Sequence, residues 1–530
     1  MTFFSCLCDL FFIRFHLASG VAVICMALAC APPSGHVAGE SEALFVSVQE
    51  GQIATDRGFS RGVAWADFDA DGDPDLYVAN SGGQWNFLYT NEGNGQFRKR
   101  TAFGDPLAET VVHGGNSEGV SWIDYDGDAD LDLFVASRGD EPCELFRNDG
   151  NHVMTRITDS PLVARGISVS MACWADYDAD GDLDVVLAGY GAPNMAFRND
   201  GEGEYVRIDT TALTSRGDGS ARACACADAD GDGLPEVVFA YARQPNLYFV
   251  NRGNWWFVPD EHSPVARDTG YGYGLSWADY DDDGDPDLFV AHFDRENMLF
   301  RNDGAGRFES VTAGVEALVS AGASKGHAWG DFNNDGYLDL FIANGTHGPD
   351  MRNVLCVNQG DGTFVRDTAG VIHLHADTSA GLAHADYDLD GDLDIYVANW
   401  GSRDQVNRLY QNTTEGRNWL MLRLSGSPPN AFAIGARVQL YCEVEGVPRT
   451  LTRWQYPVTG YGSQNDQVIH FGLGKAASID SIVIRWPSGV RDVHRQPEVN
   501  HHLLATEGSA TMHVMFTGQR AASEVSTNPE

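Results

Sequence analysis

Positive charge is scarce in this chain. Its 530 residues include 35 Lys and Arg against 75 Asp and Glu, which gives a formal net charge of −40. Nucleic-acid binding depends on Lys and Arg side chains that displace counterions from phosphates, so the composition argues against a nucleic-acid partner. Hydrophobic residues make up 43% of the chain, enough for a folded core, and this excludes global disorder.

Long apolar runs are missing beyond residue 29, so the mature chain is not expected to span a membrane. Residues 1–29 are predicted to be an export signal, because Arg14 precedes an apolar segment that ends in the cleavage pattern Ala27-Leu28-Ala29. An uncleaved anchor is one alternative. Lipid attachment at Cys30 is another, because Ala27-Leu28-Ala29-Cys30 resembles a permissive bacterial lipobox. Each interpretation takes the protein out of the cytoplasm, to the extracellular space, the periplasm or the outer-membrane surface.

Cysteine is sparse outside this leader. The six cysteines that remain fit neither the C-x-x-C pattern of a zinc site nor a dense disulfide framework. Cys224 and Cys226 are too close in sequence to bridge each other without strain. We therefore expect buried thiols at Cys143, Cys173, Cys224, Cys226, Cys356 and Cys442.

Common catalytic motifs are absent: the chain contains no G-x-S-x-G, no H-E-x-x-H and no P-loop sequence. His327 and His384 lie four and two residues before acidic motifs, which places them near the centre of the fold. Packing or hydrogen bonding in a central channel is the role that we expect for both. No catalytic residue is predicted.

An acidic motif, by contrast, recurs seven times. Its copies begin at Asp67, Asp124, Asp176, Asp228, Asp279, Asp331 and Asp386, at steps of 57, 52, 52, 51, 52 and 55 residues. A β-rich run follows each motif, then a third run ending at Asn before a Gly-rich turn. Four strands per repeat and seven repeats predict an all-β fold, a seven-bladed β-propeller. A Trp two residues before the motif is expected in the core between blades at Trp65, Trp122, Trp174, Trp277 and Trp329.

The copies follow the pattern D-x-D-x-D-G-x-x-[DE], apart from Ala129 and Asn333, each of which replaces one residue of the pattern. Carboxylates at positions 1, 3 and 5 of a tight loop can converge, position 7 can offer its backbone carbonyl, and the acid at position 9 can bind with both oxygens. Such an all-oxygen shell suits Ca²⁺ better than Mg²⁺, and an empty loop would leave like charges crowded together. The sequence therefore predicts up to seven bound Ca²⁺ ions.

The predicted metal-binding positions define seven loops. They are Asp67, Asp69, Asp71, Asp73 and Asp75 in loop 1; Asp124, Asp126, Asp128, Asp130 and Asp132 in loop 2; Asp176, Asp178, Asp180, Asp182 and Asp184 in loop 3; Asp228, Asp230, Asp232, Leu234 and Glu236 in loop 4; Asp279, Asp281, Asp283, Asp285 and Asp287 in loop 5; Asp331, Asn333, Asp335, Tyr337 and Asp339 in loop 6; and Asp386, Asp388, Asp390, Asp392 and Asp394 in loop 7.

The loops differ in detail. Loop 2 has Ala129 where Gly is expected, loop 4 closes with Glu236, and loop 6 has the neutral Asn333, whereas loops 1, 3, 5 and 7 fit the pattern fully. Because Ala129 resists the positive φ that Gly adopts easily, loop 2 is expected to bind Ca²⁺ more weakly or to have a different shape.

These repeats resemble the FG-GAP/VCBS repeats of integrin-α-type propellers, whose blades carry calcium in this loop. A second resemblance begins at Asn418-Trp419-Leu420 and continues through Gly460-Tyr461-Gly462-Ser463-Gln464-Asn465-Asp466 and Ile484-Arg485-Trp486-Pro487-Ser488-Gly489. This segment is similar to the ASPIC/UnbV domain of cartilage-acidic-protein-like proteins. The two resemblances together imply a secreted calcium-binding protein and supply no catalytic residue.

Four segments follow from these patterns: a signal at 1–29, a propeller at 30–416, a small sandwich-like β domain at 417–510 and a polar tail at 511–530. The seventh repeat lacks its own fourth strand. An unassigned run at residues 45–49 reads like the fourth strands of other repeats, so we predict that it closes blade 7.

Three classes of function remain open on the sequence alone. We favour an exported adhesion or interaction module with structural Ca²⁺, whose partner is a protein or glycan of unknown identity. A carbohydrate binder could use exposed aromatics such as Trp85, Trp255, Trp256 and Trp400. An enzyme that processes carbohydrates or natural products would need converging Arg, Lys or His side chains on one propeller face.

Overall fold

The computed structural model describes residues 44–517, except 102–104, 113–114, 218, 320–321, 346–350, 402–404 and 445. The predicted export signal, its cleavage site, Cys30 and the last part of the predicted tail lie outside the described residues. Within the described part of the chain, no helix is both long and apolar enough to cross a membrane.

Seven four-stranded antiparallel sheets form the blades of a propeller, as the repeats predict. The innermost strands are β2 (Ser60–Ala66), β6 (Ser117–Ile123), β10 (Val169–Ala175), β14 (Ala221–Ala227), β18 (Gly272–Ala278), β22 (Ser324–Gly330) and β26 (Ser379–Ala385). The second strands are β3 (Asp75–Asn80), β7 (Asp132–Ser137), β11 (Asp184–Gly189), β15 (Glu236–Tyr241), β19 (Asp287–His292), β23 (Asp339–Asn344) and β27 (Asp394–Asn399).

The two outer positions of each blade are shorter or more exposed. The third strands are β4 (Phe87–Asn91), β8 (Glu144–Asn148), β12 (Met195–Asn199), β16 (Leu247–Asn251), β20 (Met298–Asn302), β24 (Val354–Asn358) and β28 (Arg408–Asn412). The fourth strands are β5 (Phe97–Lys99), β9 (Met154–Ile157), β13 (Tyr205–Arg207), β17 (Phe257–Pro259), β21 (Phe308–Val311), β25 (Phe364–Asp367) and, in blade 7, β1 (Phe45–Ser47).

Blade 7 combines the two ends of the propeller sequence. Strand β1 pairs antiparallel with β28, with Phe45 opposite Asn412 and Ser47 opposite Tyr410. Its inward residue, Phe45, is buried and packs edge-on against Phe332 of the preceding blade, whereas Val46 is exposed. The segment before the first repeat therefore occupies the outer-strand position predicted for it and covers an edge that would otherwise be open.

Aromatic side chains fill the space between blades. All five Trp residues of the motif are buried, which confirms their assignment to the core. Phe68, at position 2 of the first acidic loop, stacks on Trp122 of the next blade with ring centroids 5.0 Å apart. The same contact closes the ring between Tyr387 of blade 7 and Trp65 of blade 1.

Short helices connect one blade to the next. The α-helices are α1 (Gln52–Thr55), α2 (Ala212–Ser215), α3 (Pro264–Arg267), α4 (Glu316–Val319) and α5 (Val371–Leu374), and 3₁₀ turns span Ala108–Thr110 and Pro161–Val163. Each has one or two buried side chains that cover the outer end of a blade.

The C-terminal β domain consists of two packed sheets, as its alternating pattern predicts. Strand orders are β32-β29-β35-β36 and β31-β30-β33-β34, and only the β29–β35 pairing is parallel within these described sheets. The strands are β29 (Asn418–Ser425), β30 (Arg437–Val444), β31 (Val447–Trp454), β32 (Val468–Gly474), β33 (Ile479–Arg485), β34 (Arg491–Arg495), β35 (His501–Thr506) and β36 (His513–Thr517). Strand β36 extends the domain beyond residue 510, so the start of the predicted tail was wrong.

The prediction of six buried thiols was also wrong, because Cys173 and Cys226 form a disulfide. The two residues lie on β10 and β14, and the propeller places these strands side by side with 6.5 Å between the two Cα atoms. Sequence spacing alone did not bring together residues that are 53 positions apart. The other four cysteines are free and buried, as predicted: Cys143, Cys224, Cys356 and Cys442.

Candidate metal centres

Each acidic loop joins the innermost strand of a blade to its second strand. Carboxylate oxygens converge within 4.8 Å of one another in groups that share positions 1 and 3. Position 9 completes the groups in loops 2, 3 and 4, position 5 completes the group in loop 1, and loop 5 contributes both. The groups include Asp67, Asp69 and Asp71; Asp124, Asp126 and Asp132; Asp176, Asp178 and Asp184; Asp228, Asp230 and Glu236; and Asp279, Asp281, Asp283 and Asp287.

Backbone N–H groups hold the loop in this curled shape. In loop 3, the Gly181 N–H donates to Asp176 Oδ2 at 2.9 Å and the Asp182 N–H donates to Asp180 Oδ1 at 3.0 Å. The bond from position 7 to position 5 is present in every loop, as with Leu234 and Asp232 at 3.0 Å. Position 7 therefore contributes its backbone to the turn, while its side chain is absent from the five acidic groups named above.

Two residues of each loop adopt a left-handed backbone, at positions 4 and 6. Position 6 is Gly in six loops, with φ between 91° and 101°, and Ala129 in loop 2, with φ of 73°. The Ala129 N–H still donates to Asp124 Oδ2 at 3.1 Å. Loop 2 thus keeps its closing bond, but Ala129 is strained as predicted, because a Cβ atom disfavours this conformation.

The acid at position 9 is buried and fixed. In loop 2, Asp132 Oδ2 accepts the Tyr125 N–H at 3.0 Å and Oδ1 accepts the Asn148 N–H at 2.7 Å. Equivalent bonds fix Asp184, Glu236, Asp287, Asp339 and Asp394. Each oxygen already accepts one hydrogen bond and keeps a lone pair that can face a cation.

Other carboxylate oxygens are buried without a hydrogen-bond partner among the described residues. At position 1 they include Oδ1 of Asp67, Asp228 and Asp279, and at position 3 Oδ1 of Asp126, Asp178 and Asp388. A buried polar atom without a partner is costly, and here such atoms belong to the groups that converge. The residues present therefore fit a hard divalent cation with oxygen ligands.

Burial gives the loops an abnormal protonation behaviour when no cation neutralises them. It raises the pKa of Asp124 to about 7, of Asp184 to about 9 and of Glu236 to about 8. Burial, together with the charge of Asp282, raises the pKa of Asp279 to about 8. Because these groups are acids, the raised pKa values mean that ionisation is unfavourable without a counter-charge.

Arginines of the C-terminal domain lie against several loops, a feature that sequence reasoning missed. Arg423 Nη1 is 2.6 Å from Asp67 Oδ2 at position 1 of loop 1. Arg449 pairs with Asp282 at 2.6 Å, and Arg417 donates to Asn333 Oδ1 at 2.7 Å. No sequence signal links a propeller loop to a residue some 350 positions away, so these contacts required the fold.

The Asn that ends each third strand was also missed as a functional position, although its recurrence was visible. Asn148 Nδ2 donates to the Phe68 carbonyl of the preceding blade at 2.8 Å, while its own N–H donates to Asp132. All seven blades repeat this link, through Asn91, Asn148, Asn199, Asn251, Asn302, Asn358 and Asn412. The loops are therefore connected around the ring.

The central channel is filled by a segment of the C-terminal domain, residues 455–467 between β31 and β32. Gln464 accepts the Trp65 N–H at its backbone oxygen and brackets Trp122 with its side-chain amide. The Gly462 carbonyl accepts the N–H of Val120 on β6, and the Gly460 carbonyl accepts the N–H of Leu275 on β18, each at 3.1 Å. We call this segment the plug. It satisfies inward-facing backbone groups that a bare channel would leave to water.

The two channel histidines serve packing. His327 is buried, with Nε2 2.7 Å from Ser276 Oγ, and His384 Nε2 lies 3.0 Å from the Trp329 carbonyl oxygen. Burial lowers the pKa of His327 to about 3 and of His384 to about 4. Both rings are therefore neutral at physiological pH.

Two of the four aromatics predicted to be exposed, Trp255 and Trp400, are not exposed. Trp85 and Trp256 are 55% and 67% exposed, but Trp255 is buried and donates from Nε1 to Asp178 Oδ2 at 3.0 Å. Trp400 is half-buried beneath cationic side chains.

Comparison with protein-family models agrees with this architecture. The FG-GAP-like repeat model matches residues 67–135, 124–187, 176–239, 228–290, 279–342 and 331–397, and the ASPIC and UnbV model matches residues 426–512. The chain therefore belongs to the FG-GAP-like repeat proteins that carry a C-terminal ASPIC and UnbV domain.

Among curated proteins, cartilage acidic protein 1 from Homo sapiens is 26% identical over 472 residues, which are 81% of this chain and 69% of that protein. The Mus musculus protein of the same name is 25% identical over 478 residues, covering 81% and 70%. Similar solved structures include a lectin from Burkholderia pseudomallei (TM-score 0.44, 11% identity, 68% of this chain and 96% of that chain) and YCF48 from Cyanidioschyzon merolae (TM-score 0.43, 11% identity, 70% and 98%).

Proposed function

We propose that this protein is an exported interaction module whose propeller is stabilised by Ca²⁺ in its acidic loops. The observation that carries the proposal is the set of buried, unpartnered carboxylate oxygens that converge in the loops. Positions 1, 3, 5 and 9 would hold the ion with carboxylate oxygens, and position 7 would add its backbone carbonyl. The ion would supply the positive charge that these ionised carboxylates lack.

Export is supported by two independent features. The leader at residues 1–29 reads as a signal sequence. The Cys173–Cys226 disulfide is of a kind that persists in oxidising compartments and is rare in the cytosol. Whether Cys30 carries a lipid is tested by mass spectrometry of the N-terminal peptide, which distinguishes a cleaved chain from an acylated one.

Recognition on the outer surface is the role that the closed channel favours. The plug occupies the innermost space of the propeller, and Gln464 at its centre contacts strands of blades 1 and 2. A ligand is therefore expected on the faces and rims, where Trp85 and Trp256 are exposed. The partner class we propose is an extracellular protein or a glycan.

The metal proposal is tested by counting ions. Asp178→Asn removes one carboxylate oxygen from loop 3, and we expect elemental analysis to find about one Ca²⁺ fewer per chain than in the wild type. Asp209→Asn is the matched control, because Asp209 is exposed and pairs with Arg207 away from the loops. Equal Ca²⁺ content in wild type and D178N would count against loop 3 as a site.

The partner class is tested by a glycan array probed with the Ca²⁺-loaded protein. Binding to one glycan class, lost after Ca²⁺ removal, would assign carbohydrate recognition. Binding instead to a purified matrix protein on a surface would assign protein adhesion, and retained binding by a calcium-free, unfolded chain would contradict both.

A further inference from the structure

The propeller mouth remote from the acidic loops carries a concentration of positive charge. Arg61, Arg222 and Lys325 are each the second residue of an innermost strand, whose last residue directly precedes an acidic loop. Seven extended residues span roughly 20 Å, so these cations and the loops lie at opposite ends of the channel. Arg138, just after β7, joins them. In a chain with a net charge of −40, such clustering is unexpected.

These cations are connected around the mouth in a closed circle that includes every blade; we call it the cationic ring. Glu118 pairs with Arg61 at 3.8 Å and with Arg138 at 2.6 Å. Arg138 and Arg222 both lie over the Tyr190 ring, at 4.6 and 4.3 Å from its centroid.

The circle continues through two further aromatic residues. Arg222 and Lys325 approach the Tyr273 ring at 5.5 and 5.2 Å. Lys325 and Arg61 then share Trp400, at 3.4 and 4.3 Å. Aromatic rings thus separate like charges that would otherwise be in contact.

The ring has more positive charge than its partners neutralise. Glu118 is the carboxylate that pairs with these cations among the described residues, against four cationic side chains. Lys325 is fully buried, yet its Nζ has no hydrogen-bond partner in the described part of the chain. The same is true of Nε and Nη1 of Arg222, a residue only 9% exposed. Buried charged donors without acceptors are expensive in a folded protein.

The plug also contributes a residue, Tyr461, to the cationic ring. The Tyr461 hydroxyl donates to Glu118 Oε1, and its ring lies 5.3 Å from that of Tyr273. Glu118 is thereby engaged by three groups, and no ion pair joins it to Lys325 or Arg222 among the described residues. Burial, together with the charge of Arg61, lowers the pKa of Lys325 well below its usual range. The Arg138 side chain remains 20% exposed and connects the ring to solvent.

We propose that the cationic ring binds the oxyanion group of a small anionic ligand, a carboxylate, phosphate or sulfate, with Lys325 and Arg222 as its principal donors. An oxyanion would accept the hydrogen bonds that Lys325 Nζ and Arg222 Nη1 lack and would offset the excess charge. Guanidinium and ammonium groups are the side chains that recognise such groups in proteins.

The test is calorimetric titration of the full, Ca²⁺-loaded chain at constant ionic strength. The probes are glucuronate, glucose 6-phosphate and inorganic sulfate, with glucose as the neutral match for the two sugar acids. Binding of sulfate along with the sugar acids would identify a site for free anions, whereas binding of sugar acids alone would show that the sugar body is also recognised. No binding of any anion at millimolar concentration would overturn the proposal.

Two variants assign the binding to the ring. Lys325→Met and Arg222→Gln each remove a charge-assisted hydrogen bond, so we expect each to weaken anion binding about tenfold. Arg301→Gln is the matched control, because Arg301 lies half-exposed on outer strand β20 and pairs with Glu309. Unchanged anion affinity in R222Q and K325M would overturn the proposal.

A melting curve separates this role from a structural one. Because Lys325 has no acceptor, K325M should melt at the wild-type temperature or above in the absence of anion, and sulfate should no longer raise that temperature. If Lys325 served folding alone, K325M would melt lower and its sulfate response would match the wild type.

Discussion

The side chain of Asn91 donates a hydrogen bond from Nδ2 to the backbone oxygen of Tyr387, 2.8 Å away and 296 positions later in the chain. The Asn91 N–H also donates to Asp75 Oδ1 at 2.7 Å. One residue therefore ties the acidic loop of blade 1 to that of blade 7, where the ring closes. Because equivalent bonds recur in the other blades, the seven loops form one connected circle.

Replacing Asn91 tests this connection. Asn91→Ala leaves the buried Tyr387 carbonyl without its donor, and we expect a loss of about 1–3 kcal/mol in the free energy of unfolding. Urea denaturation in saturating Ca²⁺ measures the loss. Gln96→Ala trims an exposed side chain in the same blade and should be neutral. Equal stability of the two variants would show that the link does not hold the ring.

The closing strand of blade 7 offers a matched pair of neighbours. Phe45 is buried against Phe332, whereas Val46 is 45% exposed on the same strand. Phe45→Ala should lower the free energy of unfolding by about 3 kcal/mol, and Val46→Ala should change it little. A melting temperature that is the same for F45A and the wild type would contradict a structural role for β1.

Replacing Ala129 by Gly should increase the Ca²⁺ affinity of loop 2. Ala129→Gly relieves a left-handed backbone and should gain about 1 kcal/mol, which is close to a fivefold increase in Ca²⁺ affinity at that loop. Ala305→Gly, in an exposed turn outside the loops, controls for the general cost of adding Gly and should be slightly destabilising. Calcium titration of both variants measures the change in affinity. A lower Ca²⁺ affinity of loop 2 in A129G than in the wild type would show that Ala129 does not weaken the site through backbone strain.

The raised pKa values predict how pH acts on the calcium-free protein. Folded carboxyls such as Asp184 (about 9) and Asp279 (about 8) hold protons that the unfolded chain has already released. The free energy of unfolding should therefore fall as pH rises from about 7 to about 8.5. Buried Lys325, whose pKa is lowered, makes the free energy of unfolding rise with pH instead. It is one group, whereas several carboxyls contribute to the fall.

Adding Ca²⁺ shows how much the loop carboxyls contribute to the pH dependence of the free energy of unfolding. With saturating Ca²⁺ the loop carboxylates are ionised in the folded state, so the fall in stability should disappear and Ca²⁺ affinity should rise with pH. Tryptophan fluorescence during urea unfolding, with and without Ca²⁺, measures both slopes. Identical slopes in the two conditions would show that the loop carboxyls do not titrate as described.

Much of the fold could be predicted because each repeat carries its own turn and core residues at fixed positions in a short stretch of sequence. The position of Gly72 after Asp71, or of Trp65 two residues before its motif, reflects a turn or a core position that each blade needs for itself. Strand β1 could be assigned to blade 7 because Phe45 begins a run with the pattern of other fourth strands.

Contacts between distant segments could not be predicted in this way. The pairs Cys173–Cys226 and Arg423–Asp67 depend on how strands from different repeats or domains pack. The ring residue Lys325 occupies a position whose residue type differs from blade to blade, so no repeated pattern marks it. The cationic ring can be recognised only in the folded structure, where residues from different blades meet at the channel mouth.

If Ca²⁺ in the acidic loops stabilises the folded propeller, a thermal melt in EGTA and in millimolar Ca²⁺ will show it. Ions that bind the folded loops and hardly the unfolded chain stabilise by mass action, by about 2.7 kcal/mol per site at a hundredfold excess over Kd. We therefore expect the melting temperature to rise with free Ca²⁺ over several decades of concentration. A melting temperature that is unchanged between EGTA and millimolar Ca²⁺ would contradict it.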